Sequence, residues 1–143
     1  MKKSDILLEI NELNTSTFKS ISKRFRELGL NITPVHGRII MALYESKRQL
    51  CQKDIEEVVL CNKSTLSSIL NTMEKNDLIK RVEDEVDSRK KKLVLTEKSL
   101  KIIGILKEDT EKIGVILTSG ITSDEINNFK KVVEKIKNNI DRL

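Results

Sequence analysis

One stretch of this chain does not follow the helical period that runs through the rest. "LIKRVEDEVDSRKKKLVLT", from Leu78 to Thr96, reads as a strand over 78–84, a turn over 85–89 and a returning strand over 90–96. Acidic residues fill four of the five positions from Glu83 to Asp87, and four consecutive basic residues follow at Arg89, Lys90, Lys91 and Lys92. A solvated hairpin tip accounts for part of this pattern, since charge keeps a sheet edge soluble. A tip built to touch something negative accounts for more of it.

Before the hairpin, apolar residues recur at Leu7, Ile10, Leu13, Phe18, Ile21, Phe25 and Leu28, close to a helical stripe that Gly29 stops. Thr33 and Pro34 form a strong helix start, a capping hydroxyl followed by proline at the first helical position. Ile39, Ile40, Leu43 and Tyr44 turn this second helix toward a core, and it fades near Ser46. "CQKDIEEVVL" reads as a short helix with Ile55, Val58 and Val59 inward, and Asn62 caps the next one. After the hairpin, Thr96 opens a long helix through Ile103, Leu106, Ile113 and Leu117. Thr122 with Glu125 then makes a capping box for a last helix through Ile126, Phe129, Val133, Ile136 and Ile140. The expected fold is mainly α with a small β-hairpin: a winged helix-turn-helix over 33–96, flanked by dimerisation helices over 1–30 and 97–143 within a single domain.

Composition narrows the function classes. The 143 residues, 38% hydrophobic and 34% charged, suit one domain with a core and no membrane span, hence an expected cytoplasmic protein. The net charge of +5 is a weak hint of nucleic acid, so the placement of charge matters more. The single histidine and two cysteines, Cys51 and Cys61, offer no zinc set, disulfide framework or catalytic triad. No catalytic residue, metal or cofactor is expected.

The helix "KSTLSSILNTMEKND" carries two faces. Leu66, Ile69, Leu70 and Met73 form the apolar stripe, while Ser64, Ser68, Asn71 and Lys75 fall opposite. Small hydroxyl and amide side chains let a helix seat in a major groove and hydrogen-bond base edges. An ordinary surface helix is the plainer explanation; the basic hairpin right behind it favours DNA. The candidate DNA-binding residues on this helix are Lys63, Ser64, Thr65, Ser67, Ser68, Asn71, Thr72 and Lys75. In the wing they are Asp87, Arg89, Lys90 and Lys91, with Lys92 on the same strand. Arg89 suits a narrow minor groove, and Asp87, two residues earlier, suits holding its guanidinium. The competing function is a helical protein-interaction module whose basic wing binds an acidic protein partner.

The chain resembles the MarR family of bacterial transcription regulators. "DSRKKKLVLTEKS" looks like that family's wing motif, Asp-x-Arg followed by a strand ending Leu-Thr. "ITPVHGRIIMAL" is similar to its second-helix opening, "NKSTLSSILNTMEKNDLIKR" to its recognition helix and following strand, and "SGITSDEINNF" to the start of its last helix. Val86 stands where a proline-containing acidic turn is common, and Ser99 where glycine often stands. The resemblance implies a homodimer that binds double-stranded DNA at a palindromic operator, usually as a repressor, and is released by a small-molecule effector or by cysteine oxidation. His36, Arg38 and Tyr44 are the candidate effector-binding residues. Cys51 and Cys61, near the starts of the two helix-turn-helix helices, are the candidate redox residues.

Overall fold

Capping chemistry sets most element boundaries in the computed structural model, which describes residues 2–3 and 5–143. Helix α1 spans Asp5–Glu27 and ends at Gly29, whose φ of +74° suits a residue without a Cβ. Helix α2 spans Pro34–Glu45. Its N-cap Thr33 accepts from the backbone N–H of His36 at 3.2 Å, and His36 Nδ1 accepts in return from the Thr33 N–H at 3.3 Å. Strand β1, Leu50–Cys51, leads into α3, Gln52–Val59. Helix α4 spans Lys63–Lys75, opened by Asn62, whose side chain accepts from the Thr65 N–H at 2.8 Å. The hairpin follows as β2, Ile79–Glu83, and β3, Lys91–Leu95. Helix α5 spans Glu97–Leu117 and α6 spans Ser123–Ile140, with Gly120 at φ +76° between them. The Thr122–Glu125 capping box is present, with the Thr122 N–H donating to Glu125 Oε2 at 2.8 Å.

The chain divides into two compact units, Met1–Leu106 and Lys107–Leu143. In the first, a three-stranded antiparallel sheet has the order β1-β3-β2. Leu50 faces Leu93 across one side of β3, and Arg81 faces Leu93 across the other. The core gathers Ile39 and Ile40 from α2, Ile55 from α3, Leu66, Leu70 and Met73 from α4, and Ile79 from β2, all fully buried. Each such side chain contributes about 1.5–3 kcal/mol of burial. A Cβ on Gly37 would stand 3.3 Å from the Phe25 ring, so the glycine is what lets that ring lie against α2. Tyr44, expected inward, is exposed at the far end of α2. In the second unit, Val115, Ile116, Leu117, Phe129 and Ile140 are exposed. On α1, Leu7, Ile10, Leu13 and Phe18 are exposed as well. Among the described residues no helix is long and apolar enough to cross a membrane.

Two predictions follow from local chemistry. Leu60, the C-cap of α3, has φ +50° and is 87% exposed. A left-handed conformation costs an L-residue roughly 1–2 kcal/mol, and an exposed leucine recovers little of it. Leu60→Gly is expected to stabilise the chain by about 1 kcal/mol, allowing for glycine's larger unfolded-state entropy, and urea denaturation measures it directly.

His36 is buried, which lowers its pKa from the ordinary 6.5, and its Nδ1 must stay unprotonated to accept from Thr33. Between the lowered folded value and 6.5 the unfolded chain binds the extra proton. Stability therefore rises with pH in that window, is complete above it and is lost as pH falls through the folded value. Urea midpoints measured from pH 7.5 down to pH 5 should fall in the native chain, and fall less in His36→Asn.

Candidate nucleic-acid interface

Helix α4 turns its buried stripe inward and leaves Lys63, Ser64, Thr65, Ser68, Asn71, Thr72 and Lys75 exposed. The outer face is not uniformly available. The Thr72 hydroxyl donates back to the Ser68 carbonyl at 3.2 Å. Ser67 is half-buried and its hydroxyl accepts from Gln52 Nε2 at 2.8 Å, which ties α4 to the start of α3. Asn71 Oδ1 accepts from Arg81 Nη1 at 2.8 Å. A guanidinium has only donors, so the amide oxygen must face it and only the Asn71 NH₂ is left to point elsewhere. These two contacts correct the expectation of a freely reading face: Ser67 and Asn71 are engaged within the chain, while Ser64 and Ser68 lie a turn apart on the outer side.

The wing turn is built from its own acids. Asp84 Oδ1 accepts from the Val86 N–H at 2.8 Å, and that bond, ahead of the nearby lysines, holds the Asp84 carboxyl below its ordinary range. The Asp84 N–H donates to the Lys90 carbonyl and the Lys90 N–H to the Asp87 carbonyl, both at 3.0 Å. Asp87 Oδ1 accepts from the Arg89 backbone N–H at 3.1 Å and from Arg89 Nε at 3.3 Å. The Arg89 side chain is 91% exposed, so it is oriented at its base and open at its tip. Such an exposed pair contributes little stability; its effect is geometric.

Arg81 was not singled out in the sequence. It lies two residues after buried Ile79, on the same face of β2, and that alternation was the signal available. Its side chain is only 17% exposed; Nη1 donates to Glu74 Oε1 at 3.3 Å as well as to Asn71, and its backbone N–H donates to Glu74 Oε2 at 3.0 Å. The first wing strand is thereby fastened to α4. Between the start of α3, the first half of α4 and the wing runs a groove of about 610 Å³. Lys53, Lys63, Arg81, Arg89, Lys90 and Lys91 line it against one acid, Glu56. Of the residues expected to touch DNA, the structure thus brings Lys63, Ser67, Arg89, Lys90 and Lys91 to one groove.

The candidate effector and redox residues do not converge. His36 is a buried capping group, not a pocket wall, because its ring is used by Thr33. Arg38 is exposed on α2. Tyr44 lines a cavity of about 360 Å³ shared with Leu43, Leu50, Leu93 and Leu100. Cys51 is the N-cap of α3; its thiol donates to Asp54 Oδ2 at 3.2 Å, and its N–H donates to the same oxygen at 2.8 Å. Arg48 grips that carboxylate at 3.0 and 3.3 Å and is the main reason why Asp54 stays ionised far below the usual carboxylate range. Cys61 is half-buried and packs against the core. Among the described residues no cluster of His, Cys, Asp or Glu could hold a metal ion.

A helix-turn-helix, a basic hairpin beside its second helix and long flanking helices define a winged helix-turn-helix regulator. A sequence model of the MarR family matches residues 30–90. The chain is 30% identical to SarZ, an HTH-type transcriptional regulator of Staphylococcus aureus, over 108 residues that cover 74% of this chain and 73% of SarZ. It is 25% identical over 139 residues to YybA of Bacillus subtilis, named as an HTH-type transcriptional regulator, covering 97% of this chain and 91% of that one. Its fold matches the crystal structure of the S. aureus MepR–DNA complex with a TM-score of 0.86 over 98% of this chain and 99% of that one, at 20% identity. The chain belongs to the MarR family. It is a transcription regulator of the winged helix-turn-helix class, not an enzyme.

Proposed function

We propose that this regulator binds double-stranded DNA as a homodimer at a palindromic operator and acts as a repressor. The observation that carries this reading is the basic groove beside the outer face of α4, with Arg89 held on Asp87 at its rim. Helix α4 would enter the major groove through Ser64, Thr65, Ser68 and the Asn71 amide, while Lys63, Thr72 and Lys75 contact its edges and backbone. The wing would follow the strand, with Arg89 in the minor groove and Lys90 and Lys91 on phosphates. The structural relative MepR is described bound to DNA, which supports the same use of the fold here. Exposed leucine, isoleucine and phenylalanine on α1 and α6 support a second copy as their cover. Two such copies would present paired helices to half-sites about one DNA turn apart. A small molecule is the release signal the geometry favours over oxidation, since Tyr44 borders a cavity with an apolar wall and Cys61 packs against the core.

Operator DNA, selected from a random pool, tests the reading against an acidic protein partner. Log affinity should fall linearly with log salt, losing roughly 10³–10⁵-fold between 50 and 200 mM if a dimer meets 6–10 phosphates. Arg89→Ala should cost about 1–3 kcal/mol of operator binding with fold and oligomeric state unchanged. A flat salt response, or an Arg89→Ala chain with native affinity, would remove the wing from DNA recognition.

Dimerisation has its own test. Phe129 is 58% exposed and Ile140 54% exposed in the protomer, so a charge at either leaves the isolated chain folded. Covering the exposed half of each is worth about 0.8–1.6 kcal/mol. A homodimer loses both side chains from both protomers, about 3–6 kcal/mol in all, which weakens it by roughly 10²–10⁴-fold. The double variant Phe129→Glu, Ile140→Glu should sediment as a monomer and lose its preference for a palindrome over a half-site. A dimeric double variant would place the interface elsewhere.

A further inference from the structure

The corner between α4 and β2 is held by more than packing. Asp77 sits there at φ +57°, the left-handed residue that closes α4, with its N–H on the Glu74 carbonyl at 3.1 Å and the Leu78 N–H on the Met73 carbonyl at 2.9 Å. Three consecutive carbonyls at this corner each accept from a different side chain at the start of α5. Lys98 Nζ donates to the Asn76 carbonyl at 2.9 Å, the Thr96 hydroxyl to Asp77 at 2.6 Å, and the Ser99 hydroxyl to Leu78 at 2.6 Å. Asn76 is the C-cap of α4 and Asp77 and Leu78 lie beyond it, past the helix's own hydrogen-bond ladder, so these donors give the corner carbonyls their partners. The Leu78 carbonyl also accepts from the Thr96 N–H at 3.4 Å. Thr96 acts twice: its oxygen also accepts from the Ser99 N–H at 3.2 Å and so caps α5. Its one proton is therefore committed to Asp77. Ser99 is 0% exposed and Thr96 7%, so no water replaces either hydroxyl easily.

We propose that the first turn of α5 is a latch on the reading helix, and that Thr96 and Ser99 are positioning residues for sequence-specific DNA binding. This rests on the DNA-binding function proposed above. The apolar stripe Leu66, Leu70 and Met73 keeps α4 on the core, but burial is non-directional and tolerates small rotations. Short hydroxyl–carbonyl bonds are directional and do not. They fix the main chain at the end of α4 and just before β2 to side chains at the start of α5, while Arg81 fastens β2 back onto α4 through Asn71 and Glu74. Reading base edges demands hydrogen-bond accuracy, whereas phosphate contacts by lysine tolerate displacement. Loss of the latch should therefore cost selectivity before it costs affinity for DNA in general.

Ser99→Ala removes one donor without adding volume. Thr96→Val removes another at equal size, and Thr96→Ser keeps it. Two readouts apply to the full chain: amide exchange of residues 74–80, and affinity for the selected operator relative to a scrambled duplex of the same length. Ser99→Ala and Thr96→Val should speed exchange in that segment and lower the affinity ratio about tenfold, the size of one mismatched base pair. Scrambled-duplex affinity and its salt slope should stay as in the native chain, and Thr96→Ser should restore both readouts. Faster exchange with an unchanged ratio would reduce these residues to helix caps and overturn the positioning role. Unchanged exchange would overturn the latch itself. If a buried variant does not fold, Lys98→Met, at an exposed position, is measured in its place with the same directions expected. A native chain with no preference for any duplex would overturn the DNA-binding reading and the positioning role with it, whatever the exchange shows.

Discussion

Leu93 is the point on which the helix-turn-helix and its wing depend. It is buried in the middle strand, opposite Leu50 of β1 on one side and Arg81 of β2 on the other. Pairing with β1 fixes the start of α3, which follows Leu50 and Cys51 directly. Pairing with β2 fixes the wing, and through Arg81 it fixes the wing's relation to α4. A two-stranded ribbon alone is marginal in water. The third strand is only two residues long, yet it turns that ribbon into the edge of a core.

The polar ties around this core have a common character. Gln52 to Ser67 joins α3 to α4, Arg81 to Asn71 and Glu74 joins β2 to α4, and Arg48 to Asp54 joins the loop before β1 to the first turn of α3. The Arg48–Asp54 pair is largely exposed on its arginine side and adds little net stability, while the Gln52–Ser67 and Arg81 ties are partly buried, where a single hydrogen bond still contributes only about 0.5–1.5 kcal/mol net. What they supply is direction, since each fixes one rotation that apolar packing leaves soft. The result is an α4 whose placement is set within the chain, and preorganisation of this kind lowers the ordering cost of any binding.

Much of this was legible in the sequence, and the gaps have physical causes. Thr33–Pro34, Asn62 and the Thr122–Glu125 pair announce helix starts because capping is local chemistry. The wing was legible because strand alternation and a charged turn leave a short-range pattern. Strand β1 was not, since two residues cannot show a period. His36 read as a pocket residue because nothing local marks a histidine as the N3 partner in a capping box. Ser67 and Asn71 read as free groups because their partners are 15 and 10 residues away, and helical spacing says nothing about what approaches from another element. Arg81 was missed for the converse reason: a charged residue on an inward strand position looks like an exception until its acceptors on α4 are known.

Two non-glycine residues have positive φ among the described residues, and they separate two kinds of corner. Leu60 and Asp77 stand at the two corners that bracket α4, one before it and one after. At Leu60 only a helix-closing bond from its own N–H to the Glu56 carbonyl is in place, and the side chain projects into solvent. That strain is carried by the turn and helps to orient nothing visible in the structure. At Asp77 the left-handed residue is held by two helix-closing bonds, its own N–H to the Glu74 carbonyl and the Leu78 N–H to the Met73 carbonyl, and the corner presents three carbonyls in succession to Lys98, Thr96 and Ser99. A relaxed corner would turn at least one of these carbonyls away and leave a buried hydroxyl unpaired, at a cost of about 1–3 kcal/mol. That is comparable to the cost of the left-handed residue itself. The bonds from α5 therefore offset what the left-handed residue costs, and they set where α4 ends.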